Sequence, residues 1–155
     1  MTSFSIEQFE SQYSHQVRDL VKDTFEEFGF GFDLSNNDKD LIDIRKSYFI
    51  EHGKFWVLLE NEKIIGTIAL KPFRNVCYEL KRFFLYATHR GKGYGNKALE
   101  FVFTYVKAKK IETIKLVANS KLHNAIHLYE KYGFHEIGPY KKSNIKDLKW
   151  FEINL

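Results

Sequence analysis

The sequence predicts one α/β or α+β domain over residues 1–155, built on a mixed sheet, and three observations predict it. A chain of 155 residues with 44% hydrophobic content can bury one core and is too short for two ordinary domains. The hydrophobic period is helical in the first third and switches to strand-like from Lys54 onward. A strand, an amphipathic helix and a second strand then follow one another between Cys77 and Asn119, which makes a βαβ unit. No repeat, low-complexity tract or linker divides the chain.

Phe4 and Ile6 alternate with polar residues and predict a short first strand, followed by a helix with Val17, Leu20, Val21, Phe25 and Phe28 on one face, ended by Gly29 and Gly31. The segment GFGFDLSNND reads as a loop. Asp38 then starts a second helix carrying Leu41, Ile44, Tyr48 and Phe49, stopped by Gly53. FWVLLE and KIIGTIAL, joined by Asn61 and Glu62, predict an antiparallel hairpin. After a loop at Pro72, CYELKRFFLY predicts a strand with Glu79, Lys81, Phe83 and Leu85 on one face and Leu80, Arg82 and Phe84 on the other. Ala98, Leu99, Val102 and Val106 mark the next helix, TIKLVAN a strand, and NAIHLYEKY a late helix with Gly133 as its C-cap. HEIGPY and KDLKWFEINL close the chain as two strands.

Composition narrows the function. Lys and Arg total 24 against 20 Asp and Glu, a formal charge of +4 that suits anionic small ligands, while the basic residues lie scattered among acidic ones rather than in the stripe a nucleic acid needs. Fifteen Phe and nine Tyr exceed what a minimal core requires, which points to an aromatic-lined cleft or subunit contact. Cys77 is the single cysteine, so no internal disulfide or multi-thiolate metal site forms, in keeping with a reducing compartment. The six histidines form no HExxH motif, and His123 and His127 lack further ligands, so no metal is expected. With neither a signal-like start nor a long apolar run, the sequence predicts a soluble, cytoplasmic protein that makes no use of a membrane.

The stretch Arg90-Gly91-Lys92-Gly93-Tyr94-Gly95 stands between a strand and a helix. Glycines there allow positive φ and close approach of the backbone, and the N–H groups of a first helical turn, with the helix dipole behind them, bind phosphate. Arg90, Lys92 and Lys97 add positive charge. The stretch lacks the Gly-Lys-Ser/Thr of a P-loop, and the chain lacks the opening βαβ repeat and acidic ribose partner of a Rossmann fingerprint.

Arg90, Gly93 and Gly95 match the Gln/Arg-x-x-Gly-x-Gly/Ala signature of the GNAT superfamily of N-acetyltransferases, which the chain resembles over residues 54–140 and more loosely before them. AIHLYEKYGF resembles the family's late helix and following turn through Ala125, Tyr129, Gly133 and Phe134. The resemblance implies a GNAT-type fold: a mostly antiparallel central sheet splayed between strands 4 and 5, with helices on both faces. It implies acetyl-CoA as co-substrate, with Phe84, Leu85 and Tyr86 along its pantetheine arm, the Leu85 N–H on the thioester carbonyl, and the amides of Gly91, Lys92, Gly93, Tyr94 and Gly95 on the pyrophosphate. Tyr129 matches the family's thiol-protonating tyrosine, and Glu79 the glutamate that acts through water as base. Ala87 replaces a frequent proline, and Leu122 stands where many members have asparagine, leaving Asn119 and Asn124 as the nearby coenzyme contacts.

The reaction implied is transfer of an acetyl group to a primary amine of a small molecule or peptide in a ternary complex, by a monomer or homodimer. The segments Gly29–Asn37 and Arg74–Val76 would select the acceptor. One alternative is a non-catalytic acyl-CoA sensor, which would need neither Tyr129 nor Glu79. Another is a nucleic-acid-binding domain, which the interspersed charge disfavours.

Overall fold

The computed structural model describes residues 2–155. Seven strands form one sheet in the order β1-β2-β3-β4-β5-β7-β6. They are β1 (Phe4–Gln8), β2 (Lys54–Glu60), β3 (Lys63–Arg74), β4 (Cys77–Leu85), β5 (Thr113–Asn119), β6 (His135–Ile137) and β7 (Leu148–Asn154). Every neighbouring pair is antiparallel except β4 and β5, the two strands of the βαβ unit. Among the described residues four α-helices occur: α1 (Ser14–Phe28), α2 (Ile44–Tyr48), α3 (Tyr94–Ala108) and α4 (His123–Lys131).

The helices divide between the two faces of the sheet. Val17 and Val21 of α1 and Ile44 and Tyr48 of α2 pack with Phe55, Val57 and Leu59 of β2. Ala98, Leu99, Val102 and Val106 of α3 and Tyr129 of α4 pack with Trp56 and Leu58 of the same strand. With both faces covered, β2 has no polar side to show, and that is why FWVLLE is a continuous apolar run. The hairpin turn places Asn61 and Glu62 both at positive φ, the conformation of a type I′ turn.

Three expectations need correction. The helix expected from Asp38 is broken into a single 3₁₀ turn at Lys39–Leu41 and the short α2. Asp38 does not cap a helix because its carboxylate is buried, accepting the N–H of Asp33 at 2.8 Å and pairing with Arg82 at 3.0 Å, and Asp43 caps α2 by accepting from Lys46 N–H at 3.2 Å. Pro72 lies within β3, which runs on to Arg74, and the ladder becomes irregular beyond it.

The third correction lies in β4. Arg82 has φ +52°, and the register passes from Ala69↔Lys81 to Thr67↔Phe84, so Ile68 faces two residues, Arg82 and Phe83. That bulge re-phases the strand. Tyr78 and Leu80 before it and Phe83 and Leu85 after it all pack toward α3 and α4, whereas Phe84 packs toward α1. Glu79 and Lys81 therefore do not share a face with Phe83 and Leu85.

Strands β4 and β5 pair only at Cys77↔Thr113, Tyr78↔Ile114 and Glu79↔Lys115. Beyond these, β5 stays with β7 as far as Asn119↔Leu148, while β4 stays with β3, so the sheet opens into a wedge. Gly66 of β3 holds β4 in place: a Cβ there would lie 2.5 Å from the Phe84 carbonyl oxygen and 2.8 Å from Leu85 Cδ2. Gly66→Ala is expected to cost about 2–3 kcal/mol through overpacking against backbone, lowering the melting temperature by roughly 5–10 °C. Thermal denaturation checks this, and an unchanged midpoint would mean that β3 and β4 can separate at no cost.

Candidate active site

Between the end of β4 and the start of α3, Gly91 and Gly93 have φ +76° and +85°, and the positions their Cβ atoms would take have no atom within 4 Å apart from the glycine and its chain neighbours. Both glycines are needed for conformation, and the space beside them is open to a ligand. Gly93 is the N-cap of α3 and offers no side-chain cap, and the first intrahelical bond is from Lys97 N–H to Gly93 O at 3.1 Å. The N–H groups of Tyr94, Gly95 and Asn96 thus have no partner within the helix, and the dipole of a 15-residue helix stands behind them. This cradle suits a pyrophosphate. Gly95 is tight: a Cβ would come within 3.0 Å of Leu128 Cδ2 and 3.6 Å of Phe83 Cζ, so the first turn of α3 sits directly against β4 and α4.

The loop is fixed from outside. Tyr94 stacks on Phe4 with ring centroids 4.5 Å apart, and its hydroxyl donates to Glu60, which also lies 3.2 Å from His89. Arg90 does not point at the cradle: its guanidinium forms a bidentate pair with Glu27 of α1 at 2.6 and 2.9 Å, and its Nε donates to the Leu85 carbonyl at 3.0 Å. Arg90 therefore ties the end of β4 to α1, while Lys92 and Lys97 remain exposed beside the glycines.

Inside the wedge is a cavity of about 880 Å³, lined on one side by Glu79 to Phe84 of β4 and on the other by Val117, Ala118 and Asn119 of β5. The N–H of Tyr86 donates to Ile65 O at 2.9 Å, and the Tyr86 carbonyl accepts from His89 N–H at 2.9 Å. Because successive N–H groups of a strand point to opposite edges, that of Leu85 points away from β3, toward the side that β5 has left. Leu85 is thus better placed than Tyr86 to offer a backbone donor there.

Tyr129 lines the cavity from α4. It is 6% exposed, its ring is held by Phe83, Phe134 and Phe151 at centroid distances of 6.1, 5.7 and 6.4 Å, and its hydroxyl has no hydrogen-bond partner among the described residues. Burial pushes its pKa well up, so the phenol stays protonated and available as a donor.

Glu79 is 5% exposed, at the vertex where β4 and β5 part. Burial alone would raise its pKa, yet Lys81 at 3.9 Å, Lys141 at 2.6 Å and the Tyr140 hydroxyl at 2.6 Å outweigh it and leave the carboxyl below its ordinary value. The group is an ionised carboxylate on the cavity wall. Tyr140 and Lys141 come from the connection between β6 and β7, about 60 residues along the chain, and Tyr140 packs edge-on against Phe73 and Trp150. Nothing local in the sequence announces them, because their partner is brought by the sheet.

Of the two asparagines, Asn119 lines the cavity, its Oδ1 accepting from Lys121 N–H at 3.0 Å, whereas Asn124 is exposed on the first turn of α4, and Leu122 takes the place beside the cavity. Of the segments expected to select an acceptor, Gly29–Asn37 brings Phe30, Gly31 and Asn37 to the cavity lining, together with Phe25 of α1. The turn at residues 74–76 does not reach the cavity, and residues 141–145 line it instead. No group of three or more His, Cys, Asp or Glu able to hold a metal occurs among the described residues, and no helix is long and apolar enough to cross a membrane.

Residues 15–134 match the family model described as the Acetyltransferase (GNAT) family. The chain is 31% identical over 114 residues to N-acetyltransferase family 8 member 2 of Rattus norvegicus, covering 70% of this chain and 50% of that protein. It is 25% identical over 138 residues to an uncharacterised N-acetyltransferase of Schizosaccharomyces pombe, covering 88% and 85%. It thus spans about half the length of the rodent relative. Among solved structures, a GNAT-family acetyltransferase from Staphylococcus aureus superposes with a TM-score of 0.88 at 26% identity, covering 98% of this chain and 99% of that one. A GNAT-family acetyltransferase from Elizabethkingia anophelis, solved with acetyl-CoA bound, has the same fold, with a TM-score of 0.67 at 19% identity and 98% of each chain covered.

Proposed function

Because this chain belongs to the GNAT family of acetyltransferases, we propose that it transfers an acetyl group from acetyl-CoA to a primary amine of a small molecule or peptide, by direct attack in a ternary complex. The observation that carries the reading is the wedge itself: β4 and β5 part around a cavity lined by Tyr129, whose hydroxyl has no partner among the described residues, and the phosphate cradle at Gly91–Gly95 packs through Gly95 against Phe83 of the cavity wall.

The co-substrate supplies an activated thioester. The chain's residues do the rest. Amides of Gly91 to Gly95 hold the pyrophosphate, and the N–H of Leu85 takes the thioester carbonyl, where a fixed donor stabilises the growing negative charge. The amine nitrogen bonds to the acyl carbon and the C–S bond breaks. One amine proton leaves through water toward ionised Glu79, and Tyr129 donates to the departing sulfur. Glu79, held below its ordinary pKa, releases that proton to water rather than retaining it, and water returns a proton to the Tyr129 phenolate, whose raised pKa favours its recapture. No covalent enzyme intermediate is needed, and Cys77, whose pKa burial and the nearby carboxylates of Glu152 and Glu79 raise, is kept a thiol rather than activated as a thiolate.

Incubating the protein with acetyl-CoA and a panel of primary amines, with thiol release as the readout, tests the proposal. Turnover should rise with pH as the amine loses its proton, since Glu79 is already ionised across that range. Glu79→Gln should lower kcat by about 10-fold or more with little effect on CoA affinity. A melting temperature raised by CoA, without thiol release for any amine, would favour a binding module instead.

A further inference from the structure

The bulge in β4 is held by a buried ionic clasp that the transfer chemistry, as described, does not use. Arg82 leaves the sheet on the α1 side and reaches the connection between α1 and α2. Its Nε and Nη2 donate to the two oxygens of Asp40 at 3.1 and 2.6 Å, its Nη1 meets Asp38 Oδ1 at 3.0 Å, and Nη2 also approaches the Asn37 carbonyl at 3.4 Å. Tyr48 donates to Asp40, and the Thr67 hydroxyl donates to the carbonyl of Arg82 itself at 2.7 Å. The side chains of Arg82, Asp38 and Asp40 are only 8%, 3% and 11% exposed.

Such a cluster is a poor way to gain stability alone, because apolar residues of the same volume commonly hold a fold as well as a buried ion triad does. Its placement is more telling. The residue that forms the clasp is also the one in the left-handed conformation, and it is the residue at which β4 changes phase. Asn37, Asp38 and Arg82 all line the cavity, as do Lys141 and Lys142. One guanidinium therefore joins the wall on which the acceptor would lie to the strand segment that carries Leu85.

We propose that Arg82 is a positioning residue for acyl transfer: gripping Asp38 and Asp40, it holds the β4 bulge in the phase that turns the Leu85 N–H into the wedge, and it fixes that donor relative to the acceptor wall. The proposal deepens the transferase reading and rests on it. Loss of the clasp should leave the coenzyme cradle intact, since Gly91–Gly95 is held separately through Tyr94, Glu60 and Arg90.

The test replaces Arg82→Gly together with Asp38→Asn and Asp40→Asn, so that no carboxylate is left unpaired and the backbone can still adopt positive φ without strain. Asp40→Asn alone is the milder variant and serves if the triple variant does not fold. Hydrogen exchange should accelerate about 10-fold or more both in residues 37–43 and in residues 83–86. The CoA dissociation constant should stay within about 3-fold, while kcat falls by about 10-fold or more. Faster exchange confined to residues 37–43, with kcat unchanged, would reduce Arg82 to an ordinary clasp and overturn the proposal. If wild-type protein turns over no amine, the transferase reading fails by itself, and unchanged exchange in residues 83–86 still decides against the clasp.

Discussion

Tyr129→Phe is expected to lower kcat by about 10²-fold or more while leaving CoA affinity near the wild-type value. The substitution removes one oxygen and nothing else, and that oxygen has no partner among the described residues. The ring contacts to Phe83, Phe134 and Phe151 survive unchanged. Deleting a polar atom that bonds to nothing in the protein costs no internal hydrogen bond, so the melting temperature should hold or rise slightly. Chemistry and stability thus part company in this variant. Steady-state kinetics beside a melting curve distinguishes the outcomes, and full activity with a destabilised fold would show Tyr129 to be a packing residue.

Gly93→Val should weaken CoA binding by about 10²-fold, with a smaller effect on the fold. A residue with a Cβ at φ +85° is strained by about 1–2 kcal/mol, and a β-branched one by more. There is room for the methyl groups, so the conflict is one of backbone conformation rather than collision. The strain is relieved by turning the peptide, which moves the N–H groups at the head of α3 off their target. Losing two charge-assisted bonds worth about 1.5 kcal/mol each amounts to roughly two powers of ten in affinity. Calorimetry with CoA measures this directly. An unchanged dissociation constant would place the phosphates away from this loop.

The sequence made visible what depends on local pattern. Strand-like and helical periods located β1, α1, β2, α3, β5 and α4, and the glycine spacing located the turn at the head of α3 because positive φ leaves so few residue choices. The wedge was expected from the family likeness rather than from any periodicity. What escaped depends on contacts across the fold. Arg82 interrupts the alternation of β4 with no glycine to mark it, since the left-handed turn is stabilised by Asp38 and Asp40 rather than by its own side chain being small. Asp38 resembled a helix start because Asp commonly is one, yet a buried partner claimed its carboxylate. Arg90 resembled a phosphate ligand and is held by Glu27, which lies 63 residues earlier. Tyr140 and Lys141 surround Glu79 from a connection that looks like an unremarkable polar turn.

The divergence of β4 and β5 also bears on which strand edges the sheet leaves open to another chain. A strand edge with free N–H and C=O groups is a template on which another chain can assemble, and natural sheets hide, shorten or charge such edges. Here the longest stretch of unpaired edge, β4 beyond Glu79 and β5 beyond Lys115, faces inward from a vertex at which the two strands are already bonded. An extended polypeptide cannot lie flat along one of these edges without meeting the other. Only β1, five residues long, and β6, three residues long, end the sheet. The unpaired backbone along the wedge is thus kept available without offering a flat seed for sheet-to-sheet aggregation.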